Sequence, residues 1–394
     1  MSQANLCTDA IVPNPGDPLR RVINHLQPDT GEYIGSPSIA LLPDGALVVS
    51  HDFFGPRTTE HTSAVTWIFR SEDRGATWRR TARIEPAFWS NLFVHGGVLY
   101  LLGTTHHHGA LVIRRSADGG YSWTEPRDGD SGLLTSGGQY HTGPMPVLVQ
   151  GGRLWRAVED AGDGGVWGER YSPMLMSAPL DADLLRRESW TFTRPLGHSK
   201  SWLGGKFGGW LEGNAVATPA GGIANLLRVA CPDGEKAALV TLEADGRTLG
   251  FSPERDFVDL PGGATKFTVR HDARSNHYWT LANLVPPRHE GSGNASLVRN
   301  TLALLRSADL RDWELRSVVL YHPDPSRHGF QYVDWLFDGA DIVAVSRTAH
   351  DDARGGARKA HDANYLTFHR LVDFRDATPA DSVVPLSELQ TKTP

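Results

Sequence analysis

The chain has 394 residues and a formal net charge of -6, which gives no electrostatic case for nucleic acid or an anionic membrane surface. No run approaches the roughly 18 apolar residues of a membrane helix, and two cysteines cannot staple a chain of this size. Glycine (42) and proline (25) are abundant and 40% of residues are hydrophobic, which suits a turn-rich β protein with a sizeable core. The opening segment lacks the basic-then-apolar order of a secretory leader, so the expectation is a cytoplasmic protein.

In chain order, "RRVINHLQ" (20–27) reads as a lone strand. "SPSIALLPDGALVVSHDFF" (36–54) then reads as strand, Pro-Asp-Gly turn, strand. "AVTWIFRS" (64–71), the turn "SEDRGATW" (71–78) and "TWRRTARI" (77–84) complete a four-stranded unit. The plan returns from "NLFVHGGVLYLLGTT" (91–105), from "GPMPVLVQGGRLWRAVED" (143–160) and from "NAVATPAGGIANLLRVA" (214–230). It returns again from "TKFTVRHDARSNHYWTLANL" (265–284) and "QYVDWLFDGADIVAVSRT" (331–348). The last unit lacks a fourth strand, which 20–27 would supply. Four-stranded units at this period predict an all-β fold, one β-propeller over residues 1–394. Six repeats can be counted, starting near 36, 89, 140, 210, 264 and 328.

The skeleton Ser-x-Asp-x-Gly-x-x-Trp occurs at 71–78 and 116–123, shortened at 307–313 and stretched at 177–190. Asp and Ser can bond nearby backbone N–H groups, Gly takes the positive-φ position and Trp packs between blades. The motif is therefore scaffold.

A propeller collects ligand groups where inner strands start and second strands end. Superposing the repeats puts His51, His107, His108, Tyr140, His141, Glu159, Glu212, Asn214, Arg228, Lys266, Gln331, Tyr332 and Arg347 at one mouth. His51 and His141 are candidate proton carriers, with His107 and Tyr140 beside them. The remaining residues are candidate substrate contacts. Arg228 and Arg347 end apolar strands and need a partner or an anionic ligand. Neighbours on a strand alternate faces, so at most two of His106, His107 and His108 converge. No spacing specifies a metal, and no cofactor is required; Ca²⁺ in the channel and the oligomeric state stay open.

The repeated turn is the Asp-box of the sialidase-like propellers, and the resemblance runs from about Gly35 to Leu371. A sialidase would open its first blade with Arg-Ile-Pro, part of an arginine triad for the sialic acid carboxylate. "GSPS" (35–38) holds that place, and no motif identifies the Tyr–Glu nucleophile pair. The runs "LLPDGALVVSHDFFGP", "QYHTGPMPV", "GRLWRAVED", "WLEGNAV" and "AHDANYLTFHR" also resemble the L-rhamnose-α-1,4-D-glucuronate lyases, described too as α-L-rhamnosidases and related to ulvan lyases. That resemblance implies seven blades and a catalytic His matching His51. The ulvan lyases add a His pair, for which His141 and one of His106 to His108 are available.

The implied substrate is a uronate-containing oligosaccharide. The implied reaction is β-elimination, with Arg228, Lys266 or Arg347 neutralising the carboxylate. A hydrolase would instead use carboxylates such as Glu159, Asp160 and Glu212. A non-catalytic glycan-binding propeller is the third reading.

Overall fold

The computed structural model describes residues 16–232, 234–291 and 293–390; Cys7 and the start of the chain lie outside them. Six antiparallel sheets follow one another along the chain, so the propeller has six blades. The count read from the repeats holds, and a seventh blade, implied by the rhamnose–glucuronate resemblance, is not found among the described residues.

The first blade comprises Tyr33–Leu41, Leu47–Phe54, Thr66–Ser71 and Arg79–Ile84. The second has three laddered strands, Phe88–His95, Val98–Thr104 and Leu111–Ser116. The third is built on Arg153–Asp160, and its inner edge is split between Tyr140–His141 and Leu148–Gln150. The fourth begins Trp210–Ala217, Ile223–Val229 and the fifth Thr268–Asp272, His277–Asn283. The sixth consists of Gly329–Asp338, Asp341–Ala349 and Tyr365–Leu371, and Val22–His25 adds its outer strand. Both ends of the described chain thus share one sheet, as the missing fourth strand required.

The strands alternate side chains between faces, and each blade packs both faces against neighbours. The core is therefore divided into six large clusters, one at each blade junction. Ile68 and Leu101 join the first two blades, and Leu226 and Leu305 join the fourth and fifth. Val49 and Phe368 join the first to the sixth and close the ring.

The Asp-box has the predicted chemistry. Ser71 Oγ bonds Asp73 at 2.8 Å and accepts the Gly75 N–H at 2.8 Å, while Asp73 accepts the Thr77 N–H at 2.9 Å. Gly75 has φ +92°, and a Cβ there would meet the Phe368 ring at 2.3 Å. Trp78 donates Nε1–H to the Gly75 carbonyl and packs on the cluster between the first and sixth blades. Among the described residues no helix is long and apolar enough to cross a membrane.

Candidate active site

Each inner strand must bend where it reaches the mouth of the channel. Register shifts interrupt the pairing between Ile34 and Pro37, Phe88 and Asn91, Leu211 and Asn214, and Gln331 and Asp334. These are bulges, and they re-aim side chains. Three of the bulges hold a non-glycine residue at positive φ: Trp89 (48°), Glu212 (55°) and Tyr332 (55°). Such backbone costs of order 1–3 kcal/mol per residue and persists where the surroundings impose it. In the first blade the position belongs to Gly35, where a Cβ would lie 1.8 Å from Asp52 Oδ1. The side chain that an Arg-Ile-Pro opening would place there is excluded by Asp52.

Glu212 and Arg228 form a buried ion pair at 2.8 Å, on paired strands of the fourth blade. Burial acts to raise the Glu212 pKa, but the charge of Arg228 and its hydrogen bond, with smaller contributions from the neighbouring His141 and Tyr332, outweigh it and hold the carboxyl below its ordinary range. Three guanidinium groups surround the Tyr332 phenol. Arg347 lies 4.9 Å and Arg299 5.8 Å from its ring centroid, and the Arg228 charge also acts on the phenol. Burial and the Glu212 charge push the phenol up, while Arg228, Arg299 and Arg347 pull it down; the net direction is up. Each arginine is anchored from behind. Arg228 Nε bonds the Ala264 carbonyl at 2.9 Å, Arg299 Nε bonds the Ser296 carbonyl at 2.8 Å, and Arg347 bonds the His361 carbonyl.

Two carboxyls lie near enough to Arg347 for its charge to lower their pKa values. Asp52 accepts the N–H groups of Ser36 (2.5 Å) and Trp89 (2.7 Å), so both its oxygens serve the backbone. Burial pushes its pKa up to about 7. The Glu60 pKa is raised, chiefly by burial.

The second and third blades contribute a histidine cluster. Glu159 accepts a 2.8 Å hydrogen bond from His141 Nδ1 and a 3.2 Å bond from the Gly213 N–H. A carboxylate can only accept, so Nδ1 carries a proton and Nε2 is the ring nitrogen turned away from Glu159. His141 stacks on Tyr171 with centroids 4.2 Å apart and meets the Trp89 edge at 4.5 Å. His108 bonds the Tyr171 hydroxyl through Nε2 at 2.9 Å, and Arg170 donates to its Nδ1 at 3.3 Å. The His107 ring lies 4.7 Å from those of both Trp89 and His61 and is tilted against each. Burial lowers His107 to about 4 and His108 to about 3, so both rings are neutral at physiological pH. A groove of about 540 Å³ opens beside them, lined by His61, His106, His107, His108 and Gln139.

The structure brings together His107, His108, His141, Glu159, Glu212, Arg228, Tyr332 and Arg347. It does not bring the others. Because neighbours on a strand alternate, Asp52 faces the mouth and His51 faces the blade interior. There His51 is 0% exposed, packed against Phe53 and Phe69, with its ring nitrogens bonded to Asn24 and the Asp52 carbonyl. Burial lowers its pKa to about 4. Tyr140 likewise lies on the opposite face from His141 and packs on the core between the second and third blades.

Lys266 and Asn214 lie in the channel wall. Lys266 Nζ bonds Thr268 and the Val333 carbonyl, and Asn214 accepts the Val269 N–H and donates to the Phe267 carbonyl. Both join blades to one another. Gln331 holds the Arg299 guanidinium.

Arg299, Glu60, Arg170 and Tyr171 were not found by superposing repeats. All four lie outside the starts of inner strands and the ends of second strands, on segments that connect strands. For Glu60 the signal was available: "TTEHTS" (58–63) follows the first blade's mouth-facing strand end.

No family model matches the chain, and no curated protein is similar to it in sequence. Solved structures are similar. The chain is like a Hadza microbial sialidase (TM-score 0.58, 13% identity, 86% of this chain and 66% of that one). It is like an α-L-arabinanase of Penicillium chrysogenum solved with arabinobiose (TM-score 0.53, 13% identity, 91% and 98%). It is also like the sialidase of Trypanosoma rangeli (TM-score 0.54, 16% identity, 87% and 56%). Identities this low carry the fold, and the fold is that of the sialidase-like propellers. They carry no particular tie to rhamnose–glucuronate lyases.

Proposed function

We propose that the protein is a glycoside hydrolase acting on a sugar that bears a carboxylate. One observation carries this reading: the Tyr332 phenol lies beside Glu212, whose carboxyl is held below its ordinary range, inside a ring of Arg228, Arg299 and Arg347. Three fixed guanidinium groups match a carboxylate in charge and fork geometry. An anionic sugar repels an anionic nucleophile. A neutral tyrosine whose proton passes to a neighbouring glutamate avoids that repulsion, and the sialidases are known exceptions to the two-carboxylate rule for this reason of chemistry.

The proposed steps follow. Tyr332 Oη attacks the anomeric carbon while its proton moves to Glu212, and the bond to the leaving oxygen breaks as Glu60 protonates that oxygen. Water, deprotonated by Glu60, then attacks the anomeric carbon. Tyr332 leaves and recovers its proton from Glu212. Glu60 suits the acid role better than Asp52, whose two oxygens are both committed to backbone N–H groups.

A panel of methylumbelliferyl glycosides tests the reading. Release from a sialoside or a uronide, with none from a neutral arabinofuranoside, supports it. Release from the neutral sugar alone sinks it.

The histidine cluster favours a second reading, β-elimination at a uronate. Glu159 fixes the His141 ring through Nδ1 and leaves Nε2 free to face a substrate, with Tyr171 stacked beside it. An unsaturated uronate, seen by its ultraviolet absorbance, would appear in place of a free reducing acid.

A further inference from the structure

We propose that His322, His328 and His350 form a structural zinc site that ties the fifth blade to the sixth. His322 follows the fifth blade's outer strand, Glu314–Tyr321. His328 precedes the sixth blade's inner strand, Gly329–Asp338, and His350 follows its neighbour, Asp341–Ala349. One ring nitrogen from each lies within 4.8 Å of the others. Tetrahedral zinc, with Zn–N of about 2.0–2.1 Å, sets its ligand nitrogens about 3.4 Å apart. The cluster therefore needs only a small contraction.

The rings crowd without bonding one another. The centroids of His322 and His328 are 3.4 Å apart, and those of His328 and His350 are 5.0 Å apart. His328 is 3% exposed, yet neither of its ring nitrogens makes a hydrogen bond, and Nδ1 of His350 is buried in the same state. A buried polar atom without a partner costs about 1–3 kcal/mol, so several beside each other point to a ligand. His322 brings one competing contact, a 3.2 Å bond from the Asp324 N–H to Nδ1, which a metal on that nitrogen would replace.

Carboxylates complete the set. Asp324 Oδ2 lies 3.3 Å from His328 Nδ1, and Asp351 Oδ2 lies 3.3 Å from His328 Nε2, both misaligned for hydrogen bonding. Whichever nitrogen of His328 takes the ion, the other faces a carboxylate, the arrangement that orients metal-bound histidines. The second carboxylate can close the fourth position. Imidazole donors select zinc over calcium or magnesium. The two strands this site would brace also present Tyr332 and Arg347, and they pair at Gln331 and Arg347.

Tag-free protein, purified without added metal, is assayed by mass spectrometry for metal content. The expected result is about one zinc per chain that survives dialysis and leaves with a strong chelator. The stripped protein should melt lower and recover with Zn²⁺ but not Ca²⁺. Co²⁺ in its place should give visible bands of a tetrahedral site. His350→Gln should reduce bound zinc to near none, and His271→Gln should leave it unchanged. Failure of the stripped wild-type chain to take up one equivalent of Zn²⁺ or Co²⁺ would overturn the proposal. So would zinc that His350→Gln retains and His107→Gln loses. If His350→Gln does not fold, the cobalt titration of the wild-type chain decides.

Discussion

Glu212 and Arg228 meet at 2.8 Å with 2% of either side chain exposed. Water cannot take over from a lost partner there, so breaking the pair costs the fold more than making it gains. Arg228→Met should destabilise the protein by about 3–5 kcal/mol in urea unfolding, because it strands a buried carboxylate. Adding Glu212→Gln should recover part of that loss. A single variant as stable as the parent would mean that solvent reaches this pocket.

Tyr332→Phe tests the nucleophile. It keeps the ring beside Arg299 and Arg347 and removes only the hydroxyl. If the hydrolase reading holds, kcat on a carboxylate-bearing glycoside should fall by about 10³-fold or more while KM changes little. An equal loss confined to KM would make the phenol a binding group.

These residues also show what a sequence discloses about such a site. Six blades and the closing strand are countable in the repeats, since period-2 alternation and Asp-Gly turns are local signals, while the family resemblance pointed to seven. The repeats also placed Glu212, Arg228, Tyr332 and Arg347 at one mouth. The Tyr332–Glu212 pairing was not legible, because it joins two blades and depends on bulges with no local marker. His51 was misplaced for a related reason: one residue of register separates it from Asp52, and that step exchanges channel for core. Arg299 lies on a connection, where repeat superposition has no register to offer.

Glu60 should govern the alkaline limb of activity. Burial is the main cause raising its pKa, which keeps the acid form present closer to neutrality. A general acid must be protonated, so kcat/KM should fall as pH rises through the Glu60 pKa. Glu60→Gln should flatten that limb. It should slow a glycoside with a poor leaving group much more than one with a nitrophenol. Equal slowing of both substrates would assign the acid elsewhere, with Asp52 next.

Asp73→Ala tests the scaffold reading of the Asp-box. The carboxylate bonds Ser71, the Thr77 N–H and the Thr77 hydroxyl, at the outer turn of the first blade. Loss of these exposed bonds should lower stability by about 1–2 kcal/mol and leave kcat/KM unaltered. A change in kcat/KM at constant stability would give the turn a role it does not have here.

Lys266 supplies a prediction of opposite sign to the usual basic residue. Burial drives its pKa down from 10.5 to about 8, so between these values the unfolded chain binds the proton that the folded chain has shed. Stability therefore rises with pH across that window and is lowest, for this group, below about 8. The linked contribution is on the order of 3 kcal/mol. Lys266→Met should fold, because the Thr268 hydroxyl still donates to the Val333 carbonyl at 3.0 Å. The difference in unfolding free energy between parent and variant, followed from pH 7 to pH 10.5, should move in the parent's favour as pH rises. A flat difference would mean that Lys266 stays charged in the channel wall, with its Thr268 and Val333 contacts sufficient to hold an ammonium out of water.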